Sequence, residues 1–498
     1  MCSWRFAVGS WLACLVFATP ALAAKPLGHE GQWITDPHGR VVVLHGLNLV
    51  NKIPPYLPGA TGFGDDDAAF LARNGFNVVR LGVIYAGVER NPGTYNDLYL
   101  NGIAKVVRVL AGHGIYTLLD FHQDQYNERF HGEGFPDWAV QDDGLPNTPD
   151  LGFPGNYLGM ASLQHAFDHF WADSPGPGGV GLQERYAAAW AHVAARFKNN
   201  EHVLGYDLIN EPWPGTNWPP CAAAGGCPAF DAQLGAMQQK AIDAVRSADP
   251  KHLIWYEPNV LFNYGSEPTH LPALAGGELG MSFHVYCLVS AASVCASGEQ
   301  SAMSNALTRS ASTSDALLLT EFGATDDVAT LRRIENEADS FRLPWIEWAY
   351  CGCNDPTTSA NPPSKQALVV DPSQPPTGSN IMSSTLHSLA RPYPWAVAGT
   401  PRLWHFSRGN RHFRLRYRPT RASGKGIFRK GSCTQVFIPR VQYPHGYRTR
   451  VHGGHVISAP GAGVLEVMST TVKDITIDVR PREKGFTRLP VITPRCRP

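Results

Sequence analysis

Residues 203–212 read VLGYDLINEP. The run opens on apolar and aromatic side chains, as a strand buried on both faces does, and turns polar at its end, in Asn210 and Glu211. Outward from it, seven runs of the same kind recur between positions 41 and 350: 41-VVVLHGLN, 77-NVVRLGV, 116-YTLLDFHQD, 252-HLIWYEP, 279-LGMSFHVY, 316-ALLLTEFG and 343-LPWIEWAY. Helical patterns such as 66-DDAAFLARNG, 182-LQERYAAAWAHVAARF and 232-AQLGAMQQKAIDAVRSAD lie between most of them. Strand alternating with helix predicts a parallel sheet, and eight such units predict an α/β fold closed as a (β/α)8 TIM barrel. An open doubly wound sheet would carry a Gly-rich phosphate loop after its first strand, and HGLNLVNK is not one.

The ends of these runs hold the chemistry: Arg80, Asp120 with His122, Asn210 with Glu211, His284 with Tyr286, Glu321 and Trp348. One polar strand end is ordinarily a cap or a buried hydrogen bond. In a barrel, however, all the C-terminal strand ends converge on one face, where barrel enzymes keep their active sites. Two long insertions, 124–180 and 351–380, decorate that face, and loops of this length are usually functional.

From about 395 the pattern changes to alternating runs without helical period, RHFRLRYRP, TQVFIPR, VLEVMST and DITIDVR, which predict a C-terminal antiparallel β-sandwich. The expected division is 1–23 signal peptide, 24–394 catalytic barrel and 395–498 basic β-sandwich. The leader shows a positive start at Arg5, an apolar stretch from Ala7 to Phe17 and a small-x-small site at Ala21-Leu22-Ala23, so export and a secreted protein are expected. Hydrophobic content of 43% and charged content of 17% are globular values, and no later segment offers a transmembrane span. Residues 395–498 hold 20 Lys+Arg against 4 Asp+Glu, so the rest holds 22 against 38, and the net charge of zero is a cancellation of +16 and −16.

Eight cysteines remain beyond the leader, spaced in close pairs that suit local disulfides in an oxidising compartment. Cys221–Cys227, Cys287–Cys295 and Cys433–Cys496 are the expected bridges, and the pairing of Cys351 and Cys353 stays open. A zinc site is the rival reading, but no CxxC or HExxH accompanies them.

Hydrolysis of a glycosidic bond needs a proton for the leaving oxygen and a second carboxylate on the other face of the anomeric carbon. In retaining enzymes these carboxyls stand about 5–5.5 Å apart. Glu211 and Glu321, ending the fourth and seventh runs, are the candidates for acid/base and nucleophile. Glu211 then needs a raised pKa, which the charge of Glu321 would supply, while Arg80 and Tyr286 would favour ionised Glu321. Trp348 offers an apolar face for a sugar ring. Glu128, Glu133, Glu257 and Glu347 compete as carboxylates; Glu257 reads as a salt-bridge partner, and His131 as a loop hydrogen-bonder. No metal or organic cofactor is needed for this chemistry, and none is expected.

NEP on the fourth strand with TEFG on the seventh resembles the barrel glycosidases of glycoside hydrolase family 5. By that resemblance Arg80 steadies the nucleophile, His122 and His284 are the site's two histidines, Asn210 reaches the sugar 2-hydroxyl, Tyr286 bonds Glu321, and Trp348 is the sugar platform. Within the family, HGLNLVNK, DFHQDQY, GEGFPDWAV, LINEPWPG and the C-terminal β-sandwich resemble the endoglycoceramidases, which release the intact oligosaccharide of a glycosphingolipid from ceramide. The resemblance implies that Lys52 and Asp120 bind hydroxyls beside the scissile bond. A β-glucanase or a glucosylceramide or steryl-glucoside β-glucosidase on the same barrel is the alternative enzyme. An inactive carbohydrate- or glycolipid-binding protein is the alternative of another class. The expected partners are a glycosphingolipid and, through the basic domain, an anionic membrane surface, not nucleic acid.

Overall fold

Eight short parallel strands close on one another in the computed structural model, which describes residues 26–265, 267–287, 292–357 and 363–482. They are His45–Leu49, Val78–Val83, Tyr116–Phe121, Val203–Asp207, Leu253–Tyr256, Leu279–Val285, Ala316–Phe322 and Trp345–Glu347, paired in chain order with the eighth returning to the first. The expected TIM barrel is therefore present. Its lower interior is a packed apolar layer of Leu44, Val78, Leu118, Leu204, Leu253, Trp255, Leu318 and Ile346. Gly205, at φ +154°, lets the fourth strand pass its neighbour, because a Cβ there would fall 2.1 Å from the Leu253 carbonyl oxygen.

The helices follow their apolar period. Asp97–Gly112 is capped by the Asn96 side chain, which accepts from the Tyr99 N–H at 3.1 Å. It buries Tyr99, Leu100, Ile103, Val106, Val107 and Leu110, spaced three and four apart, against the barrel. The other patterns appear as Asp65–Asn74, Leu182–Phe197 and Pro228–Ala248. Among the described residues no helix is long and apolar enough to cross a membrane.

The β domain has two antiparallel sheets, the first of which takes in three strands from the N-terminal segment. One has seven strands in the order Gly28–Glu30, Trp33–Thr35, Val41–Val42, Tyr393–Val397, Cys433–Phe437, Val464–Ser469 and Gly454–Val456. The other has four, Thr400–Ser407, His412–Arg418, Ile475–Pro481 and Tyr447–His452. The run 41-VVVLHGLN is thus divided: Val41 and Val42 pair with Val397 and Ala396 in the β domain, and the barrel strand begins at His45. In His412–Arg418 the alternation buries Phe413, Leu415 and Tyr417 and turns Arg414, Arg416 and Arg418 outward.

The β domain meets the N-terminal edge of the barrel. His45 lies stacked between Trp345 and Tyr393, centroids 4.0 and 3.9 Å away, with neither ring nitrogen hydrogen-bonded. Burial, aided by Arg391, holds its pKa well below the usual histidine range. Arg391 pairs with Asp339 and Glu335, Arg408 pairs with Glu335, and the Trp404 indole N–H donates to Asp339 at 2.7 Å. Arg408, from the basic 395–498 segment, thus cancels part of the charge split against Glu335 of the barrel. Cys221–Cys227 and Cys287–Cys295 are bonded as expected, and Cys351 is bonded to Cys353. The leader and Cys496, with its expected bridge, lie outside the described residues.

Candidate active site

The barrel brings the carboxyls of Glu211 and Glu321 into one cleft, with a carboxylate oxygen of each within 4.8 Å of the other and of a His284 ring nitrogen. Glu321 is the sixth residue of its strand, so its direction is fixed by the sheet. Arg80 Nη1 donates to its Oε1 at 2.6 Å and the Tyr286 hydroxyl donates to its Oε2 at 2.9 Å. Burial pushes the Glu321 carboxyl above its ordinary range, and His284 and Arg80 oppose that push.

Glu211 lies past the end of its strand, at φ +43°. A non-glycine residue in this region stores about 1–3 kcal/mol of strain, held only where the surroundings insist on it. Here the surroundings do. The Gln123 amide donates to the carbonyls of Asn210 and Glu211, at 2.9 and 3.2 Å, and the Glu211 N–H donates to Glu257 Oε2 at 3.0 Å. The Glu211 side chain meets His284 Nδ1 at 2.8 Å. His284 is fully buried, which works against its charged form, but Glu257 and Glu321 outweigh this and hold it protonated well above the usual histidine range.

Arg80 is the buried centre of the site. Its guanidinium meets Asp207 at 2.8 Å, Asp120, Glu257 and the Asn210 Oδ1 each at 3.0 Å, and Glu321. Burial disfavours its charge, yet these carboxylates together raise its pKa. Asp207, likewise buried, is pushed up to about 8 despite Arg80. The Asn210 amide donates to the Gln123 carbonyl at 3.0 Å while its face lines the cleft.

The other wall carries Trp348, whose indole N–H donates to Gln366 at 3.0 Å. His122 stacks beside it, 5.2 Å between centroids, and its Nδ1 meets Asp120 at 2.7 Å. Burial opposes the charge on His122, but Asp120 lifts its pKa to about 10. Lys52 Nζ lies 4.5 Å over Trp348 and bonds Asp124 and Thr357, with Asp355 at 3.2 Å. Asp120 itself is fully buried behind this wall, gripping Arg80 and His122; the carboxylate that reaches the cleft beside Lys52 is Asp124.

The cleft encloses about 510 Å³. Phe153, Pro154, Tyr264 and Val285 give it apolar lining, and Thr325, Asp327, Thr330 and the Arg333–Glu299 ion pair line it as well. Within the 124–180 insertion, 152-GFPGNYLGM supplies Phe153 to the cleft. Phe135 of GEGFPDWAV is buried against Tyr126, and Trp138 packs on Arg185. His131 stands 3.3 Å from Asp150 within its own loop.

Among the described residues, two side-chain groups have donor atoms close enough to hold an ion, His122/Asp124/Glu133 and Glu211/His284/Glu321. Each already contains a protein cation against its carboxylates, Lys52 in the first and Arg80 in the second, so the donor sets are not those of a vacant divalent site. Sequence reasoning missed Gln123, Asp124, Asp207 and Thr357. Only Asp207 carried a signal, as a lone charge inside an apolar run.

Residues 63–353 match the cellulase (glycosyl hydrolase family 5) family, and residues 391–479 match the glycoside hydrolase family 5 C-terminal domain. The chain belongs to glycoside hydrolase family 5. It is a glycoside hydrolase. Endoglycoceramidase I of Rhodococcus hoagii (strain 103S) is 32% identical over 486 residues, covering 94% of this chain and 90% of that protein. Endo-glycoceramidase II from Rhodococcus sp. superposes as a lactosyl-enzyme intermediate with TM-score 0.73 at 26% identity, over 90% of this chain and 99% of the other. As a ganglioside GM3 complex it superposes with TM-score 0.72 at 25% identity, with the same coverage.

Proposed function

We propose that this family 5 hydrolase is an endoglycoceramidase: it cleaves the bond between the glycan and the ceramide of glycosphingolipids with net retention. Glu211 protonates the departing oxygen and Glu321 attacks the anomeric carbon; the glycosyl–Glu321 ester is then hydrolysed by water that Glu211 deprotonates. The observation that carries this reading is the carboxyl pair. One oxygen of each carboxyl comes within 4.8 Å of the other, which favours the close spacing of a retaining pair over the wider one, about 6.5–9.5 Å between carboxyls, of an inverting pair. Arg80 and Tyr286 hold one oxygen each of Glu321, which orients it and accepts its charge when the ester breaks.

The choice of a glycolipid over a glucan rests on the similarity to endoglycoceramidases over nearly the whole chain, and on the apolar lining of the cleft at Phe153, Pro154, Tyr264 and Val285. The deciding experiment incubates the full chain with a ganglioside and analyses the products. Free intact oligosaccharide with ceramide supports the proposal; sequential release of single sugars, or no release, removes it.

The proposal extends to where the enzyme works. The leader pattern of residues 1–23 and the bonded cysteine pairs favour secretion. The outward arginines of the β domain favour attachment to an anionic membrane surface, each cation near such a surface contributing about 1 kcal/mol.

A further inference from the structure

Glu257 ends the fifth run and has no place among the substrate contacts, since it is fully buried and away from the cleft. Its carboxylate nonetheless touches the Glu211 main chain and the two cationic side chains, Arg80 and His284, that meet the reacting glutamates. Oε2 accepts the Glu211 N–H at 3.0 Å; Oε1 lies 3.0 Å from Arg80 Nη2 and 3.3 Å from His284 Nε2. Arg80 holds Glu321, and His284 stands 2.8 Å from Glu211 Oε1 and 3.5 Å from Glu321 Oε2. We infer that Glu257 is the positioning residue that keeps the acid/base and the nucleophile in register, acting through Arg80, His284 and the main chain of Glu211. The inference rests on the reading of Glu211 and Glu321 as the reacting pair.

The geometry excludes a plain ion pair with Arg80. Asp120 and Asp207 already bind that guanidinium, and neither reaches Glu211 or His284 with the same carboxylate. Glu257 is itself anchored from behind, its carbonyl accepting from the Gln238 amide at 2.6 Å. A carboxylate fixed at both ends can clamp the left-handed turn at Glu211 from the N–H side while Gln123 clamps it from the carbonyl side. It also faces His284 Nε2 while Nδ1 faces Glu211, so both ring nitrogens point at carboxylates. A carboxylate beside each nitrogen favours the charged ring.

A positioning role by charge has a consequence that packing lacks. The charged and titratable groups around Glu257 are Arg80 from the second strand, Glu211 after the fourth and His284 from the sixth. Beyond them stand Asp120, Asp207, Glu321 and, from the helix Leu182–Phe197, Tyr186. A buried negative charge makes each of its neighbours hold a proton more tightly. Replacing it by a neutral amide of the same shape therefore moves the rate profile in the acid direction.

The test measures kcat and KM against pH on a soluble aryl β-glycoside, with the full wild-type chain, Glu257→Gln and Glu257→Asp. The Gln variant is expected to lose at least about tenfold in kcat, from misplacement of the pair, with KM altered by less than about threefold. Its profile is expected to move about half a pH unit or more toward acid. The Asp variant keeps the charge but is one methylene too short for all three contacts, so kcat falls and the profile stays. A Gln variant with a uniform loss at every pH, or with wild-type kcat, overturns the inference. If the Gln variant does not fold, an Asp variant with wild-type kcat overturns it; if neither folds by circular dichroism, Glu257 is a folding residue and the inference is lost. Turnover of the aryl glycoside surviving in Glu321→Ala removes the parent reading, and this one with it. A dead Glu321→Ala beside an unmoved Gln profile removes this one alone.

Discussion

Removing Glu211 separates the two halves of the proposed reaction. The fold should tolerate Glu211→Ala, because alanine occupies the φ +43° position with the same strain as glutamate and both main-chain clamps, from Gln123 and Glu257, remain. What is lost is the carboxyl that meets His284 Nδ1 at 2.8 Å, which leaves a buried donor unmatched and costs about 1–3 kcal/mol of stability. The larger loss is kinetic. Ceramide leaves as a poor alkoxide, so withdrawal of the general acid should lower kcat/KM on a glycosphingolipid by about 10²–10⁴-fold. At 1.36 kcal/mol per tenfold this is roughly 3–5 kcal/mol of transition-state stabilisation. An aryl glycoside with a strongly acidic phenol needs no proton, so the glycosyl–Glu321 ester should form from it within about tenfold of the wild-type rate. The ester should then persist, since its hydrolysis lacks a base, and added azide should speed turnover and appear as a glycosyl azide. The assay is stopped-flow release of the phenol, with and without azide, beside product analysis on a ganglioside. Equal losses on the two substrates, or turnover indifferent to azide, would refute the assignment of Glu211.

Three further outcomes follow from the geometry. Proton NMR of the first sugar released from a β-linked substrate should show the β-anomer, and mass spectrometry of the trapped enzyme should place the adduct on Glu321; an initial α-anomer would contradict the carboxyl spacing. His45 folds with a pKa below its unfolded value of 6.5, so the stability it contributes is present above that pH and declines as pH falls below it. His45→Phe should therefore flatten the fall in melting temperature between pH 7 and 5, and parallel curves for the two proteins would show that this ring does not set the acid response. The triple change of Arg414, Arg416 and Arg418 to Ser should weaken binding to anionic liposomes and leave soluble aryl glycoside turnover intact. Wild-type liposome binding with the same salt dependence would leave neutralisation across the domain joint, as at Arg408, to account for the basic domain.

Eight apolar runs were enough to read the barrel, because eight buried parallel strands need them, and the polar residues clustered toward their C-terminal ends located the chemistry. Glu211, Glu321, His284, Tyr286 and Trp348 were legible in that way, while Arg80 stood out as a charge inside its strand. Tertiary structure alone decided which sheet each half of 41-VVVLHGLN joins, since an extended apolar segment fits either until its hydrogen-bond partners, Ala396 and Val397 or Trp345, are chosen. It also decided between Asp120 and Asp124, four residues apart in DFHQD: the strand turns Asp120 inward to Arg80 and His122, and the loop beyond the strand turns Asp124 to Lys52 and the cleft. Glu257 and Asp207 show the same division. A carboxylate in a strand announces that something buried must neutralise it, but which cation, and what that cation holds in turn, is fixed only when strands more than a hundred residues apart meet at one guanidinium.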